Sequence, residues 1–503
     1  MASVKKKIVK NTVANTLLKI SQYVIGFLMF PFIIKYVGVE DYGIYLLVGA
    51  FVGYFGLLDF GVGSALVKYV AQYTTKEDKK TINEMVSSSF AFYMGIGIVI
   101  CVSVLIIGTY YVEFFNISPD QAEKARFIAY LVAIGALTSW PMHSFGNILP
   151  GIQRYDIGAI LGFVSAIITA VSTVIILLSG GGIIDMIFWG IVIGASFQLA
   201  TVIITQRLLP YLELRREYMG MEPMKKIFKF SSVVFIGQII GMIVLGTDRI
   251  VIGAFVSVAA ITHYAVARKL HDIVHTASSL PASALLPAAT ELDTKDNKAA
   301  IERLVFRGGK YKCALIIGAA TVIFVLAEPI INVWMGPEWT FMALSTQVYI
   351  SYWFVFAAMG VMGSVLLAQE KFMPLMIMYA VNAIANLVLS LILVQYYGLM
   401  GVIMGTVIPY FFLMPVLIPY ALKLVGISFR NYARKVILTT YPIAIITGAL
   451  LYGLLYSLPD TFVETIVGLG TLGLTGFTTY FGLFYLFGLV PKEKHEIMRL
   501  FKH

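Results

Sequence analysis

The stretch from Gly241 to His275, GMIVLGTDRIVIGAFVSVAAITHYAVARKLHDIVH, decides how this chain folds. It is predicted to form two apolar helices joined by a short uncharged loop at Val256–Val258, yet the second helix carries Arg268, Lys269 and Asp272. Each charged side chain near the centre of a membrane-spanning helix costs about 2.5–3.5 kcal/mol, whereas an apolar residue returns only about 0.3–0.6 kcal/mol. This helix therefore cannot face lipid all round, and its charged side must face a hydrated cavity or partner helices.

The composition is that of a membrane protein that crosses the bilayer many times. The 503 residues are 59% hydrophobic and 13% charged, whereas a soluble domain carries about 25% charge. The net charge of +10 would suggest a nucleic-acid partner in a soluble protein, but here the basic residues cluster in loops, where they set topology and meet anionic lipid, so we expect no nucleic acid. Cys101 and Cys313 lie within apolar spans and indicate neither a disulfide framework nor a metal site.

Segments of about 20 mostly apolar residues mark about fourteen membrane-spanning helices. The basic N-terminus runs into the first of them without a cleavage site, so we expect a retained helix rather than a signal peptide. Prolines such as Pro141, Pro281 and Pro409 are expected to kink or break the spans that hold them. The predicted spans are 12–36, 42–67, 87–111, 126–149, 157–179, 184–205, 229–254, 259–289, 313–333, 342–368, 373–394, 399–422, 436–456 and 464–488.

Lys and Arg alternate between the loops and predict the topology. Basic loops, among them 206–228 and 291–312, alternate along the whole chain with short loops that favour acids, such as Glu113 and Asp120. By the positive-inside rule, both termini are expected in the cytoplasm and the protein in the cell (plasma or inner) membrane. No loop is long enough to house an extramembrane active site.

The chain also contains an internal repeat. A shift of 219 residues aligns two helices and their following loop without a gap, and the loop TKEDKKTINEMV matches TKDNKAAIERLV. Six spans make up each copy, so both copies should have the same orientation and face each other across a central cleft, where transporters bind substrate. The predicted fold is therefore an all-α membrane protein of about 14 helices, two six-helix bundles related by a parallel repeat plus two C-terminal helices. The expected divisions are residues 1–215, 216–425 and 426–503.

Motifs near the N-terminus carry a resemblance to a known family. A turn holding Val37-Gly38 and Tyr42-Gly43-Ile44-Tyr45 joins the first two spans, and Leu58-Asp59-Phe60-Gly61-Val62-Gly63 ends the second. With the span count and the repeat, they make the chain resemble the O-antigen and lipid-linked oligosaccharide flippases, the polysaccharide-transport branch of the multidrug/oligosaccharidyl-lipid/polysaccharide (MOP) exporter superfamily. The resemblance covers essentially the whole chain and says nothing about which glycan is carried.

The resemblance implies a function. Members of this family move an oligosaccharide linked to a polyprenyl pyrophosphate from the cytoplasmic to the outer leaflet. It also implies alternating access of two lobes around a cationic cavity that accommodates the pyrophosphate and sugar. The expected partners are this lipid-linked substrate, the lipid bilayer and a coupling ion, H⁺ or Na⁺.

The eighth predicted span carries most of the candidate site. Its polar residues recur every three or four positions and share one helix face, with Lys269 at the edge of that face. Arginine suits phosphate because its planar fork matches the phosphate oxygens. Each member of the face fits cavity lining and structural ion pairing equally well. The candidates on this span are Tyr264, Arg268, Lys269, His271, Asp272 and His275.

Four further charged residues lie within other spans. Asp248 and Arg249, on the seventh span, are at a comparable distance from the outer loop and could meet the eighth. Lys19 on the first span either reaches the interface or, as the family resemblance implies, lines the cytoplasmic mouth of the cavity. Asp59 either holds a helix end or, like Asp248 and Asp272, serves ion coupling.

No nucleotide-binding loop, metalloprotease motif or nucleophile elbow occurs in the sequence, so no cofactor, metal or catalytic residue is expected. Energy would come from an ion gradient, the membrane potential or substrate asymmetry.

Other functions stay open from the sequence. A cation-coupled multidrug or organic-solute exporter of the same superfamily would need a net acidic cavity, and the candidate charges here are mostly basic. A membrane-embedded glycan polymerase or ligase would need a large outer loop with acid–base residues. A passive scramblase also stays open.

Overall fold

The computed structural model describes residues 2–115, 117–279, 281–295 and 297–500, and within them all side chains except those of 2–17, 19, 232–234, 236–245, 282–284, 497, 499 and 500. Every regular element in these ranges is a helix. The chain forms two compact units, one ending at Thr262 and the other beginning at His263.

Among the described residues of the first unit, nine α-helices begin, and the ninth continues into the second unit. They are α1 (Ala2–Val37), α2 (Val39–Phe55), α3 (Val62–Thr75), α4 (Lys79–Phe114), α5 (Pro119–Gly151), α6 (Tyr155–Leu178), α7 (Ile183–Leu208), α8 (Met221–Phe255) and α9 (Val258–Ser279).

The second unit contains the rest of α9 and twelve more helices. They are α10 (Ala282–Thr294), α11 (Lys298–Arg303), α12 (Gly309–Val325), α13 (Ala327–Met335), α14 (Met342–Phe356), α15 (Met362–Ala368), α16 (Met373–Leu424), α17 (Phe429–Tyr432), α18 (Leu438–Ser457), α19 (Asp460–Val463), α20 (Ile466–Leu483) and α21 (Pro491–Leu500).

The helices agree with the predicted membrane spans. In the described part of the chain, eleven helical segments are long and apolar enough to cross a membrane. One of them, α16, divides in two at Gly398, where φ is +53°. With α8 and α9, this accounts for the fourteen predicted spans. Large apolar side chains on α6, among them Ile160 and Ile175, are about 60% exposed and fit a lipid-facing surface.

The internal repeat is confirmed at the level of secondary structure. Equivalent helices of the two copies begin 219 positions apart. α2 begins at Val39 and α9 at Val258, and α4 begins at Lys79 and α11 at Lys298. Equivalent residues also cap the helices. The Asp78 side chain accepts a hydrogen bond from the amide of Thr81 at 3.0 Å, and the Asn297 side chain accepts one from the amide of Ala300 at 3.0 Å. Such caps satisfy amides that have no partner within the helix.

The second and eighth spans are each broken into two helices. After α2, the chain passes through a 3₁₀ turn at Gly56–Asp59 and left-handed residues Phe60 (φ +49°) and Gly61 (φ +75°) before α3 begins. The prediction of one continuous helix over 42–67 was therefore wrong, because the chain breaks between α2 and α3. The eighth span breaks where a proline was expected to break it, because α9 ends at Ser279 and α10 follows Pro281.

The two compact units follow the packing of the helices. α8 packs against α2, α3 and α4, so it belongs to the first unit, and α18 and α20 pack against α12 in the second. The predicted boundaries at residues 215 and 425 stay predictions.

Candidate functional site

The polar face of α9 forms one hydrogen-bonded network in the second unit. Arg268 Nε donates to Asp272 Oδ1 at 2.9 Å, and another guanidinium nitrogen donates to the Tyr349 hydroxyl at 3.0 Å. The hydroxyls of Tyr264 and Tyr349 are 2.9 Å apart. The Arg268 side chain is 17% exposed and that of Asp272 is 29% exposed. The guanidinium is thus held from two sides, in a side chain that is mostly buried.

The contact between Arg268 and Asp272 agrees with the helical spacing that the sequence predicted. Arg268 and Asp272 are one turn apart on α9, so their side chains meet. His271 Nδ1 lies 3.2 Å from the same Asp272 oxygen. Asp272 therefore serves both basic groups, and Arg268 has an ion-pair partner within its own helix.

His271 is enclosed by aromatic rings of α14. It is 3% exposed, and its ring stacks on Tyr349 with centroids 4.3 Å apart and planes at 17°. The rings of Tyr352 and Trp353 lie 5.2 and 5.4 Å away. The packing on three sides fixes the imidazole beside Asp272, so His271 acts as a support for the network.

His275 differs from His271 although both lie on the same face. It is exposed, and its ring centroid is 6.4 Å from that of His271 and 6.1 Å from that of Trp353. An exposed imidazole beside an indole edge is available to a ligand in a way that His271 is not. Lys269 is half-buried on the neighbouring edge of α9.

The aromatic partners on α14 were missed by the sequence analysis. Tyr349, Tyr352 and Trp353 occur three and four positions apart, the spacing of a single helix face. That pattern was visible in the predicted span 342–368, but nothing in the sequence says that this face packs on α9.

The other sequence candidates lie in the first unit. Asp248 on α8 is 2% exposed. Arg249 is half-buried, has no salt bridge within the described part of the chain, and lies close enough to Tyr42 and Tyr45 to interact with them electrostatically. The expected meeting of this pair with the eighth span stays a prediction. Lys19 lies outside the described side chains.

Asp59 occupies the break between α2 and α3. Its Oδ1 accepts hydrogen bonds from the Tyr93 hydroxyl and from the amide of Gly63, the latter at 3.2 Å. The His143 ring lies edge-on to Tyr93, with centroids 5.8 Å apart. Asp59 therefore supports the start of α3, and a carboxylate, a phenol and an imidazole lie together there.

Lys312 was counted with a basic loop in the sequence but lies on α12, within the membrane-spanning segment Lys298–Val325. Its side chain is half-buried and, within the described residues, has neither a hydrogen bond nor an ion pair. The neighbouring Lys310, in contrast, is 5% exposed and bonds to Glu493 at 2.5 Å. A buried ammonium without a partner is costly, so Lys312 joins the candidate cations.

The described residues hold no group of three or more His, Cys, Asp or Glu side chains arranged for a metal ion. The side chains that could bind a molecule here include cations, phenols and an exposed imidazole. These groups suit an anionic molecule with many hydroxyls.

A comparison with protein families decides which family this is. The family model described as "Polysaccharide biosynthesis protein" matches residues 8–293, more than half of the chain. The chain belongs to the polysaccharide biosynthesis protein family.

Two relatives of this polysaccharide biosynthesis protein are named for O-antigen movement. A Yersinia pseudotuberculosis protein named for O-antigen export is 21% identical over 82% of this chain and 93% of its own length. A Salmonella typhi protein named for O-antigen transport is 21% identical over 75% of this chain and 87% of its own.

Solved structures share the fold of the polysaccharide biosynthesis protein. The lipid II flippase MurJ superposes with a TM-score of 0.75 at 14% identity and covers 95% of this chain and 98% of its own. An inward-facing multidrug resistance MATE transporter of the MOP superfamily gives a TM-score of 0.65 at 14% identity, covering 82% and 94%. The chain therefore shares its fold with this flippase and with this MOP superfamily transporter, in agreement with the fold that the sequence resemblance implied.

Proposed function

We propose that this protein is a flippase that moves a polyprenyl-pyrophosphate-linked oligosaccharide from the cytoplasmic to the outer leaflet of the cell membrane. Membership of the polysaccharide biosynthesis family, relatives named for O-antigen movement and the fold of MurJ support this function. We infer that both termini lie in the cytoplasm, because the basic loops alternate along the whole chain.

The chemical problem is to carry phosphate charge and many hydroxyls through a hydrocarbon layer about 30 Å thick. Cations and hydrogen-bond donors in a hydrated cavity replace the water that the headgroup loses. Arg268 has further N–H donors besides those bonded to Asp272 and Tyr349. Lys269, Arg249, Lys312 and Lys19 supply further positive charge. His275 offers a polar edge to a sugar.

The observation that carries the proposal is the geometry of Arg268. Its guanidinium is held by Asp272 at 2.9 Å and by Tyr349 at 3.0 Å, yet it is only partly buried. Held in this way, it loses little further conformational entropy when a phosphate binds.

Transport would require alternating access of two lobes around the substrate. The internal repeat supplies two similar sets of helices for this motion. Asp59, Asp248 and Asp272 are the carboxylates we assign to ion coupling, with H⁺ or Na⁺ as the ion. Each is buried or half-buried within a membrane-spanning region.

A second candidate function rests on the fold match to the MATE transporter. A cation-coupled exporter of organic solutes would bind a cationic molecule and would therefore need a net acidic cavity. The candidate residues include more cations than carboxylates, which favours an anionic substrate. We propose transport without a covalent step, so a glycan polymerase or ligase is less well supported.

The test is lipid-linked oligosaccharide flipping by the purified protein in vesicles. We expect Arg268→Ala to lower the rate about tenfold to a hundredfold, because a hydrogen bond to a charged group contributes about 1.5–3 kcal/mol. The flipping rate of Arg268→Lys should lie between those of wild type and Arg268→Ala, since lysine keeps the charge and loses the planar fork of donors.

The control for this experiment is Trp334→Ala, which also truncates a large side chain. Trp334 lies at the end of α13, beside a loop that the alternation of basic loops predicts on the outer side, where tryptophan is typical of the interface. This variant should flip the substrate at close to the wild-type rate when both variants are present in equal amounts. Equal rates for wild type and Arg268→Ala would remove Arg268 from the mechanism, and no flipping by wild type in any gradient would overturn the proposed function.

A further inference from the structure

Three lysines lie over a platform of aromatic rings in the first unit, where α3 packs against α8. We name it the α3–α8 lysine cluster. It consists of Lys68, Lys76 and Lys226 over Tyr69, Tyr73 and Phe230.

The platform holds the lysines in defined positions. The ammonium of Lys226 donates a hydrogen bond to the Tyr73 hydroxyl and lies 4.9 Å from the centre of that ring. The ammonium of Lys68 lies 3.8 Å from the centre of the Phe230 ring. The Tyr69 hydroxyl donates to the backbone carbonyl of Lys226 at 3.1 Å, which ties α8 to α3. The cluster is therefore a built arrangement of both helices.

The cluster keeps a net positive charge, because Asp78 is a single carboxylate that interacts with both Lys76 and Lys226. Lys68, Lys76 and Lys226 are exposed and make no salt bridge with the described residues. The nearby Asp78 carboxylate already accepts hydrogen bonds from the amide and hydroxyl of Thr81. The hydrogen bond with Tyr73 raises the pKa of Lys226, so this ammonium stays charged at neutral pH. By contrast, Lys225 is paired with Glu222 at 2.8 Å.

The second copy of the repeat lacks the cluster. The positions 219 residues after Lys68, Tyr69 and Tyr73 hold proline, alanine and leucine, at 287, 288 and 292. The equivalent of Lys76 is Lys295, which is paired with Glu291 at 2.6 Å. Because α10 forms at the same place in the repeat without these contacts, the cluster in the first copy calls for a ligand.

The surroundings of the cluster indicate that this ligand belongs to the membrane surface. At the start of α8, Met221 is 71% exposed and Phe228 is 37% exposed, and the cluster lies on the side that the positive-inside rule assigns to the cytoplasm. Aromatic rings with lysine tips are typical of the headgroup layer, where each Lys attracts anionic lipid.

We propose that the α3–α8 lysine cluster binds the phosphate of an anionic phospholipid headgroup in the cytoplasmic leaflet. The ammonium groups of Lys68 and Lys226 contact the phosphate, and Tyr73 holds Lys226 in place. This bound lipid is distinct from the transported substrate, so the proposal stands independently of the flippase function.

The test uses the purified full chain in phosphatidylcholine nanodiscs that contain phosphatidylglycerol and no lipid-linked glycan. Native mass spectrometry counts the phosphatidylglycerol molecules retained after mild detergent release. We expect wild type to retain phosphatidylglycerol over phosphatidylcholine, and we expect Lys68→Gln and Lys226→Gln each to lower its retention about fivefold. Tyr73→Phe keeps the charge and should also lower retention, because Lys226 loses its anchor.

Lys225→Gln is the matched control, since it removes one positive charge from the adjacent residue without touching the platform. It should retain phosphatidylglycerol like wild type. Equal loss in Lys225→Gln and Lys226→Gln would overturn the proposal in favour of unspecific charge attraction. Displacement of the lipid by an equimolar isoprenyl diphosphate would also overturn it, because the site would then belong to the substrate. In wild type, retention should fall as NaCl is raised, a measurement that needs no variant.

Discussion

At the scale of single residues, Lys310 and Lys312 show how a two-position difference on one helix changes what a lysine does. Lys310 is buried against Glu493, which also accepts a hydrogen bond from the Val490 amide at 3.0 Å and lies 3.8 Å from Arg307. Lys312 points to a different side of α12 and has no such partner in the described part of the chain. One lysine holds α21 to α12, and the other keeps its charge available.

Lys312→Gln should therefore lower oligosaccharide flipping severalfold while leaving thermal stability equal to or above that of wild type. The physical reason is that a partly buried ammonium without a partner costs free energy in the folded protein, and removing it removes that cost. Flipping in vesicles and the melting temperature in detergent are the two measurements.

Lys310→Gln supplies the contrast, because it removes the nearest ion-pair partner of the buried Glu493, which keeps only the more distant Arg307 and the Val490 amide. Breaking a buried ion pair costs up to about 3–5 kcal/mol. The substitution should lower the melting temperature clearly. If Lys312→Gln destabilises the protein as strongly as Lys310→Gln, then Lys312 has a structural partner and is not a candidate for substrate binding.

At the scale of helices, close packing in the second unit depends on small residues. A Cβ at Gly318 of α12 would lie 2.7 Å from the ring of Tyr480 on α20, and one at Gly476 of α20 would lie 2.9 Å from Val322. Glycines at both surfaces let the two helices approach each other closely, as is common where helices associate in a membrane.

Gly318→Val should consequently destabilise the second unit by about 1–3 kcal/mol through overpacking, since the fully buried Tyr480 ring has little room to move. The melting temperature of the purified variant measures the effect. The control is Gly473→Val. Gly473 lies on α20, and a Cβ added there would have nothing within 4 Å, so this variant should melt close to wild type. Equal melting temperatures for the two variants would show that α12 and α20 do not pack closely enough at Gly318 to exclude a larger side chain.

At the scale of the whole molecule, the alternating basic loops make a prediction about sidedness. In a chain with Cys101→Ser and Cys313→Ser, we expect Glu217→Cys to react with a membrane-impermeant maleimide only from the cytoplasmic side. Ser179→Cys, between α6 and α7, should react only from the outside. Both positions are exposed, and an odd number of spans separates them. Labelling of both cysteines from the same side would therefore contradict the topology.

The class of the protein, its helices and its repeat could be predicted from the sequence because each depends on neighbouring residues or on self-similarity. Hydropathy over about 20 residues marks a span whatever it packs against, and the break at Pro281 follows from a missing amide. The meeting of Arg268 with Asp272 was predictable for the same reason, since one helical turn brings them together.

The tertiary structure alone decided which side chains surround that pair and which charges lack a partner. Tyr349 and Trp353 reach His271 from a helix some 80 positions away in the sequence, and Glu493 reaches Lys310 from the C-terminal helix. The break at Phe60 and Gly61 likewise escaped the hydropathy pattern, because a left-handed turn inside an apolar segment leaves apolar periodicity unchanged. Contacts between distant helices depend on how whole faces pack, and no local pattern records that choice.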